Sequence, residues 1–248
     1  MTGGSGTKGA AGVVDVTIMR TDRPAHGPLG SAGDTVVVID VIRAFTTAAI
    51  LLAGGVPHLA CVSDAGQARR LLGDAAPGHL VVGEQEDRPF TDVDLPNSPS
   101  AVLAAEVRDR PVVLFTANGT PALVRVPARA TMLAGAIVNA HATAGWILAN
   151  RPGVPVRLVV TDPRAPEDFI CATYLSALLT GRPVDDAQTR TAVTAAADAH
   201  ARRWGRHTSR AYWLGFLADV RICAHVNAVP VVLLGARDES GHVVLRRG

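Results

Sequence analysis

The chain has 248 residues, 48% of them hydrophobic, and a formal net charge of +2, which suffices for one large α/β domain or two small ones. Lys8 is the only lysine, so 23 of the 24 basic residues are arginine. Because Lys8 lies in a Gly/Ser/Thr-rich stretch over residues 1–12 that we expect to be a disordered tail, sites that need a folded lysine are excluded. These are Schiff-base and pyridoxal-phosphate sites, the P-loop and the kinase strand lysine.

The composition also argues against two classes of partner. The charge is near neutral, aromatic residues make up 4%, and no basic run contains interleaved aromatics, so nucleic acid is not expected as the main partner. The longest apolar run, Ala44–Val56, is too short to span a bilayer, and no secretory signal pattern is found. Three widely separated cysteines are typical of reduced thiols. We therefore expect a cytoplasmic protein whose main partner is neither nucleic acid nor a membrane.

Short β-branched runs alternate with Ala/Leu-rich stretches along most of the chain. The β-branched runs predict strands at Thr35–Asp40, His58–Val62, His79–Gly83, Pro111–Thr116, Ala130–Ala134, Val156–Thr161 and Val229–Leu234. The other stretches predict helices at Arg43–Ala53, Asp64–Gly73, Ser98–Arg108, Pro121–Val124, Asn139–Asn150, Glu167–Leu179, Asp186–Arg203 and Arg210–Asn227. This alternation favours a single α/β domain over residues 13–248, with a mostly parallel or mixed sheet. The last two helices form either a helical excursion or a cap over the site.

The first strong strand ends at Asp40, and ligands in such sheets bind at the carboxyl ends of strands. The Asp40 carboxylate can bind a divalent metal or a reacting group, or it can cap the following helix. Arg43 can present its planar guanidinium to a phosphoryl or sulfonate oxygen, or it can pair with a neighbouring carboxylate. Thr46 and Thr47 add hydroxyl groups to this segment.

A second acidic segment, Gly83 to Asp87, follows the third predicted strand. Its three acids, Glu84, Glu86 and Asp87, can serve a hard cation such as Mg²⁺. The alternative is a solvated acidic loop, which we favour for Glu86 and Asp87. Glu84 is retained as a candidate because it emerges directly from the strand.

Two helix starts are rich in amide and hydroxyl side chains, and we expect them to share one sheet edge with the two acids. Either Asn97 or Ser98 is typical of a helix cap, with Pro99 in the first turn. Asn118-Gly119-Thr120-Pro121 predicts a turn with positive φ, followed by a cap at Thr120. The free amides of a helix start can bind an anion, although capping alone accounts for much of the first segment.

Glu167 and Asp168 fall in the first turn of a later helix, where the helix dipole alone favours acids. They can also hold a metal or act in proton transfer. Cys171, about one turn further on, is assigned to packing. The eight histidines form neither a zinc motif nor a Ser-His-Asp arrangement.

Taken in order, these segments resemble the 2-phosphosulfolactate phosphatase (ComB) family over roughly residues 35–235. The resemblance is carried by Ile39–Thr47, Gly83-Glu84, Asp94–Pro99, Thr116–Thr120, Glu167-Asp168 with Cys171-Ala172, and Leu214–Pro230. It implies a three-layer α/β/α fold. It also implies a Mg²⁺-dependent phosphatase that acts on a small anionic metabolite, converting a phosphorylated 2-hydroxy acid bearing a sulfonate into sulfolactate and phosphate.

The resemblance also implies roles for single residues. It makes Asp40, Glu84 and Asp168 candidate metal ligands or acid–base groups. Candidate contacts to phosphate and substrate are Arg43, Thr46, Thr47, Asn97, Ser98, Asn118, Gly119, Thr120 and Glu167.

The chain departs from the family pattern in a loop that would touch substrate. The family usually has Gly-Glu-Arg, whereas here Gln85 follows Glu84, and Glu86 and Asp87 add negative charge. We expect weaker binding of a dianionic substrate near this loop. Two alternatives stay open: a diverged enzyme of specialised metabolism that performs another hydrolysis or elimination on a carboxylate-bearing metabolite, and a catalytically silent anion-binding or assembly subunit. A homo-oligomer is also left open.

Overall fold

The computed structural model describes residues 14–21, 27–74, 78–84, 93–204 and 210–248. The predicted tail over residues 1–12 and the acidic loop over residues 85–87 lie outside these ranges. Across the ranges described, no helix is both long and apolar enough to cross a membrane.

Ten strands in the described part of the chain join one sheet. In chain order they are β1 (Val16–Arg20), β2 (Thr35–Ile39), β3 (Leu59–Val62), β4 (Leu80–Gly83), β5 (Leu95–Pro96), β6 (Val112–Phe115), β7 (Thr131–Gly135), β8 (Val156–Val160), β9 (Leu233–Arg237) and β10 (Val243–Arg247). The helices between them are α1 (Ala44–Ala53), α2 (Ala65–Asp74), α3 (Pro99–Leu103), α4 (Gly119–Val124), α5 (Ala140–Asn150), α6 (Pro166–Leu179), α7 (Asp186–Trp204) and α8 (Arg210–Cys223). A short 3₁₀ turn, Ile137–Asn139, precedes α5.

The sheet consists of two parallel blocks joined by an antiparallel hairpin. Its strand order is β1-β8-β2-β7-β9-β10-β3-β6-β4-β5. The first four strands are mutually parallel, and so are the last four. β9 and β10 pair antiparallel with each other, β9 with β7, and β10 with β3. The fold class is therefore confirmed as α/β with a mixed sheet, consistent with three α/β/α layers.

The hairpin inverts the direction of the second block, since three antiparallel pairings separate β7 from β3. The carboxyl end of β2 belongs to the first block and those of β4 and β6 to the second. The prediction that all the polar strand ends share one sheet edge, as in a simple parallel sheet, is therefore wrong. The residues that follow these strands nevertheless meet, since Arg43 pairs with Glu84 and Gly119 lies against Asp40.

Helix α1 is the central connection between the blocks. Its sequence is apolar on every side, and its residues Ala44 to Leu52 are all buried, as expected for a helix inside the core. It contacts α3 and α4, and α4 in turn contacts both β2 and β3. One hydrophobic core runs across both blocks and includes Val37 of β2 and Leu114 of β6. The start of α1 is thus held between elements of the two blocks.

Strands that depend on distant partners were missing from the sequence prediction. β1, β5 and β10 were not predicted, and the strand expected at Val229–Leu234 lies at Leu233–Arg237. β1 forms an edge of the sheet with mixed exposure, and β5 has only two residues, so neither carries a strong hydrophobic pattern. β10 is specified by pairing with β3, about 180 residues earlier in the chain.

Two helices end earlier than predicted. Helix α3 ends at Leu103 instead of Arg108, since Val107 is buried and the Asp109 amide donates to the Gly55 carbonyl at 3.1 Å. Helix α8 ends at Cys223 instead of Asn227, where Asn227 adopts a positive φ of 57° and its amide bonds the Ile137 carbonyl. Both helices are ended by tertiary contacts, which local helix propensity cannot predict.

Candidate active site

The segment that links β2 to α1 is built around Asp40. Its Oδ1 accepts a hydrogen bond from the Ala44 amide, in the first residue of α1, at 3.1 Å, which agrees with the capping reading although Arg43 occupies the N-cap position. Binding of a metal or a reacting group by Asp40 stays a prediction. The Thr46 hydroxyl donates to the Val41 carbonyl at 2.8 Å and the Thr47 hydroxyl to the Arg43 carbonyl at 2.9 Å. Both threonines are fully buried and stabilise the first turn. Their contact with substrate stays a prediction.

Helix α4 approaches Asp40 closely because it starts with Gly119. A methyl group added at Gly119 would lie 2.8 Å from the Ala44 Cβ and 3.0 Å from Asp40 Oδ2. Glycine is therefore required here for close approach. The positive φ predicted for the Asn118-Gly119 turn is wrong, since Asn118 has φ of −125° and Gly119 is not among the positive-φ residues of the described chain.

Thr120 lies inside α4, so the cap predicted at this position is wrong as well, and Asn118 precedes the helix without a side-chain cap. The Thr116 amide donates to Thr120 Oγ1 at 2.9 Å, and the Thr120 amide donates to Thr116 Oγ1 at 3.1 Å. This reciprocal pair closes the loop after β6. Phosphate binding by this loop stays a prediction.

Arg43 connects the two blocks through ion pairs with two carboxylates. Its Nη2 lies 2.5 Å from Glu84 Oε2, and its Nη1 lies 2.9 Å from Asp219 Oδ2. The guanidinium carbon also stands 5.4 Å from the centre of the Phe216 ring, within cation–π range. Arg43 is 7% exposed, so these contacts form in a largely desolvated place. Pairing with neighbouring carboxylates, one of the two readings of the sequence, is confirmed.

Asn97 joins Glu84 at the same place. Its Nδ2 donates to Glu84 Oε1 at 3.1 Å, so both oxygens of Glu84 are engaged, one by Asn97 and one by Arg43. The side chain of Asn97 is fully buried, and its Oδ1 accepts no hydrogen bond among the residues described. That oxygen is an acceptor, which suits a donor group of a ligand better than an anion.

Asp219 is the site residue that the sequence analysis missed. It lies in α8, is fully buried and accepts hydrogen bonds from Ser98, Ser100 and Arg43. Of the two cap candidates, Asn97 and Ser98, the structure has Ser98 at the start of α3, where its Oγ accepts from the Ala101 amide at 3.3 Å. The signal that could have identified Asp219 is an acid beside Leu217 and Val220 on an apolar helix, since a buried charge requires a partner.

The α7–α8 pair covers the Arg43 segment, which favours the cap over the helical excursion. Four residues of the pair form a small core against Ile42, the residue before Arg43: Ala197, Ala201, Phe216 and Val220. Together with Asp219, this packing makes α8 one wall of the candidate site.

Glu167 and Asp168, in the first turn of α6, are almost completely buried. Asp168 Oδ1 accepts from the Val41 amide at 2.7 Å, and its Oδ2 accepts from the Thr161 hydroxyl at 3.3 Å. The acids are thus turned toward the segment after β2, which ordinary dipole stabilisation of a helix start would not require. Cys171 is fully buried, in agreement with its assignment to packing.

The buried acids influence each other strongly. The pKa of Asp40 is raised to about 7, first by burial and then by the charges of Glu84 and Glu167, against the lowering effect of the Ala44 hydrogen bond and of Arg43. Burial also raises the pKa of Asp168 well above its ordinary value, and Asp40 and Glu167 add to that rise. An excess of buried negative charge of this kind is relieved by a proton or by a bound cation.

The donor set fits Mg²⁺ with few protein ligands and not with a full protein cage. Within the described ranges, no group of three or more His, Cys, Asp or Glu side chains could hold a metal ion. Glu84 and Asp168 have both carboxylate oxygens engaged. Asp40 Oδ2 faces Gly119, and Glu167 lies close enough to affect the pKa of Asp40. Mg²⁺ commonly uses one or two carboxylates and completes its shell with water and phosphate.

Comparison with known proteins finds similar sequences over most of the chain. The family model described as 2-phosphosulpholactate phosphatase matches residues 22–237. A protein of Carboxydothermus hydrogenoformans is 33% identical over 215 residues, which cover 84% of this chain and 89% of that protein. A protein of Thermosynechococcus vestitus is 30% identical over 227 residues, covering 84% and 92%.

A protein of Bacillus subtilis is 32% identical over 163 residues, which cover 64% of this chain and 69% of that protein. All three relatives carry the name "Probable 2-phosphosulfolactate phosphatase". The family match spans most of the chain and includes every candidate site residue described above. The chain therefore belongs to the 2-phosphosulfolactate phosphatase family.

Proposed function

We propose that this chain is a Mg²⁺-dependent phosphatase that hydrolyses a small phosphorylated 2-hydroxy acid of the 2-phosphosulfolactate type, with sulfolactate and phosphate as products. Family membership supports the reaction class. The observation that carries the proposal is the convergence of Asp40, Arg43 and Glu84, from separate motifs, in one buried cluster with coupled charges. Such a cluster is typical of a functional site rather than of a structural ion pair.

The charge of the cluster explains the need for a cation. Arg43 shares the site with five largely buried carboxyl groups: Asp40, Glu84, Glu167, Asp168 and Asp219. A phosphate ester that also carries a carboxylate and a sulfonate would be repelled by this set. Mg²⁺, when bound, would neutralise the phosphoryl oxygens and the charge that develops on them. Asp40 and Glu167 would hold the ion, while Glu84 and Asp168, predicted as ligands with Asp40, would position Arg43 and the segment after β2.

Arg43 would bind the phosphoryl group. A guanidinium carries five N–H donors in one plane, so it can hold two carboxylates and a phosphoryl oxygen at once. Asp40 would take one of two roles at Oδ2: as a carboxylate it would hold the ion, or as a carboxylic acid it would give a proton to the oxygen of the departing hydroxy acid. Asn97 Oδ1 would accept from a donor group of the substrate or from an ordered water.

The direct test is phosphate release by the purified chain from 2-phosphosulfolactate and a panel of other phosphorylated hydroxy acids, with Mg²⁺ and with EDTA. We expect turnover that requires Mg²⁺ and is greatest with 2-phosphosulfolactate. If no member of the panel released phosphate with Mg²⁺, the proposal would fail, and the alternative of a silent anion-binding subunit would replace it.

A diverged enzyme is the second candidate, favoured by Gln85 where the family usually has arginine. The Gln85→Arg variant separates the two candidates in the same assay. Faster 2-phosphosulfolactate turnover in the variant, from a slow wild type, would mean that the chemistry is retained and that the natural substrate differs. Turnover of another panel member that exceeds 2-phosphosulfolactate in the wild type would identify the substrate class.

A further inference from the structure

Asp219 divides its two oxygens between two different tasks. Oδ1 accepts from the Ser98 hydroxyl at 2.8 Å, the Ser100 amide at 2.9 Å and the Ser100 hydroxyl at 2.6 Å. Oδ2 accepts from Arg43 Nη1 at 2.9 Å. One oxygen therefore binds the start of α3. The other binds the Arg43 guanidinium, which in the proposed function contacts the phosphoryl group of the substrate.

The contacts of Arg43 hold its guanidinium from three sides. Asp219 binds Nη1, Glu84 binds Nη2, and the Phe216 ring lies within 5.4 Å of the guanidinium carbon. Asp219 and Phe216 both come from α8, whereas Glu84 follows β4. Without Asp219, the guanidinium could turn to form a bidentate pair with Glu84, which would direct it away from a ligand.

We propose that Asp219 is a positioning residue for the phosphatase reaction, which holds Arg43 in the orientation that binds the phosphoryl group. This inference rests on the proposed function, since it takes the ligand of Arg43 to be a phosphoryl group. Asp219 acts through Arg43, and its own oxygens are engaged by α3 and by Arg43. Because Asp219 lies on α8, it also links the α7–α8 pair, which covers the Arg43 segment, to the candidate site.

The direction in which one substitution changes the affinity for phosphate distinguishes a positioning role of Asp219 from a purely electrostatic one. Asp219→Asn removes a negative charge next to an anion site, so charge alone predicts tighter binding of phosphate. If Asp219 positions Arg43, the same substitution weakens binding, because the amide that replaces Oδ2 cannot accept from Nη1. Asparagine keeps one oxygen that can still accept from Ser98 and Ser100, which favours retention of the fold.

The experiment is titration calorimetry of inorganic phosphate into wild type and Asp219→Asn, both with MgCl₂, together with steady-state kinetics. We expect the Kd for phosphate to rise about tenfold or more, as for loss of a charge-assisted contact, and KM to rise more than kcat falls. An unchanged or lower Kd in the variant would overturn the proposal. Failure of the wild type to bind phosphate would overturn it too.

The matched control is Asp34→Asn at the other end of β2. Asp34 is also buried and accepts from a side-chain arginine, Arg157 Nε at 3.2 Å, and from the Ser31 amide at 2.9 Å. A purely structural effect would appear in both variants. We expect Asp34→Asn to lower the melting temperature and leave the Kd for phosphate unchanged, and equal increases in Kd for the two variants would contradict positioning.

Ser100→Ala is a milder variant in case Asp219→Asn does not fold. It removes one of the three donors to Oδ1 and leaves the charges intact, so we expect a two- to fivefold rise in the Kd for phosphate, roughly the value of one hydrogen bond. No rise would overturn the proposal. If wild type binds phosphate and these variants weaken binding, yet no substrate is hydrolysed, the proposed function fails while the role of Asp219 toward anions stands.

Discussion

At the scale of single residues, the site is defined by an excess of buried acids around one arginine. Burial and the charges of Glu84 and Glu167 raise the pKa of Asp40, and Arg43 is among the groups that lower it. Its Oδ1 also caps α1 through Ala44. In the reaction proposed above Asp40 would serve the chemistry as well as the fold, and we expect an energetic conflict between the two roles.

That conflict predicts a pH dependence of stability in the absence of divalent cations. The pKa of Asp40 is about 7 in the folded chain and 3.8 as its ordinary value. Between these values the folded state binds more protons than the unfolded state, so the free energy of unfolding falls as the pH rises, by at most about 1.4 kcal/mol per pH unit from this group. Asp40→Asn is expected to remove this contribution.

The measurement is urea unfolding in EDTA at several pH values for wild type and Asp40→Asn. The variant should gain stability relative to wild type as the pH rises toward 7, while the contribution of Asp168, of the same sign, persists in both. A stability difference that does not change with pH would show that Asp40 does not titrate in this range.

At the scale of elements, the site depends on how closely helix starts approach each other. The start of α4 lies against the start of α1 because Gly119 has no side chain, and the start of α3 is bound to α8 through Ser98, Ser100 and Asp219. Three helices that begin after different strands thereby meet around Asp40 and Arg43. Their mutual distances set the width of the site.

Gly119→Ala tests this dependence. The new methyl group would lie 2.8 Å from the Ala44 Cβ and 3.0 Å from Asp40 Oδ2, so α4 must move away or Asp40 must turn. We expect phosphatase activity to fall at least about tenfold and the free energy of unfolding to fall by about 1–3 kcal/mol, as for overpacking.

The control is Gly145→Ala, in the middle of α5, where a Cβ meets nothing within 4 Å. This substitution should leave activity unchanged and stabilise the chain by up to about 1 kcal/mol, because alanine is the better helix former. Equal activity in the two alanine variants would contradict the close approach at Gly119.

At the scale of the whole molecule, the β9–β10 hairpin joins the two blocks of the sheet. Its strands pair with β7 on one side and with β3 on the other, and one hydrophobic core contains residues of both blocks. The site draws Arg43 from the first block and Glu84 from the second. Integrity of the hairpin is therefore a condition for the site.

Leu245→Ala in β10 tests this condition. Leu245 is fully buried in the shared core, so its truncation should lower the free energy of unfolding by about 2–5 kcal/mol. We expect one unfolding transition, with hydrogen-exchange protection of β2 and β6 reduced together. The matched control, Leu148→Ala, removes a leucine that is 45% exposed and should change stability by less than about 1 kcal/mol. Separate transitions for the two blocks would contradict a single cooperative unit.

The local pattern of the sequence was sufficient for β2, α1, α5 and α6, because continuous valines, apolar helical stretches and the Pro166 start are signals within one segment. The Ser98 cap and the acids at Asp40 and Glu84 were also predicted from residue type and position alone. β10 and the inverted second block were not, since they follow from pairings between distant strands.

Sequence by itself thus determined the α/β class, the family and the residue types that supply the chemistry. Tertiary structure decided which of those residues meet. Arg43 and Asp219 are 176 residues apart in the chain and 2.9 Å apart in the site. A local sequence pattern cannot predict that contact. The helix propensity of α8 is the same whether or not Asp219 has a partner. The partner exists only because the helix packs over the segment after β2, where a buried carboxylate requires a buried cation.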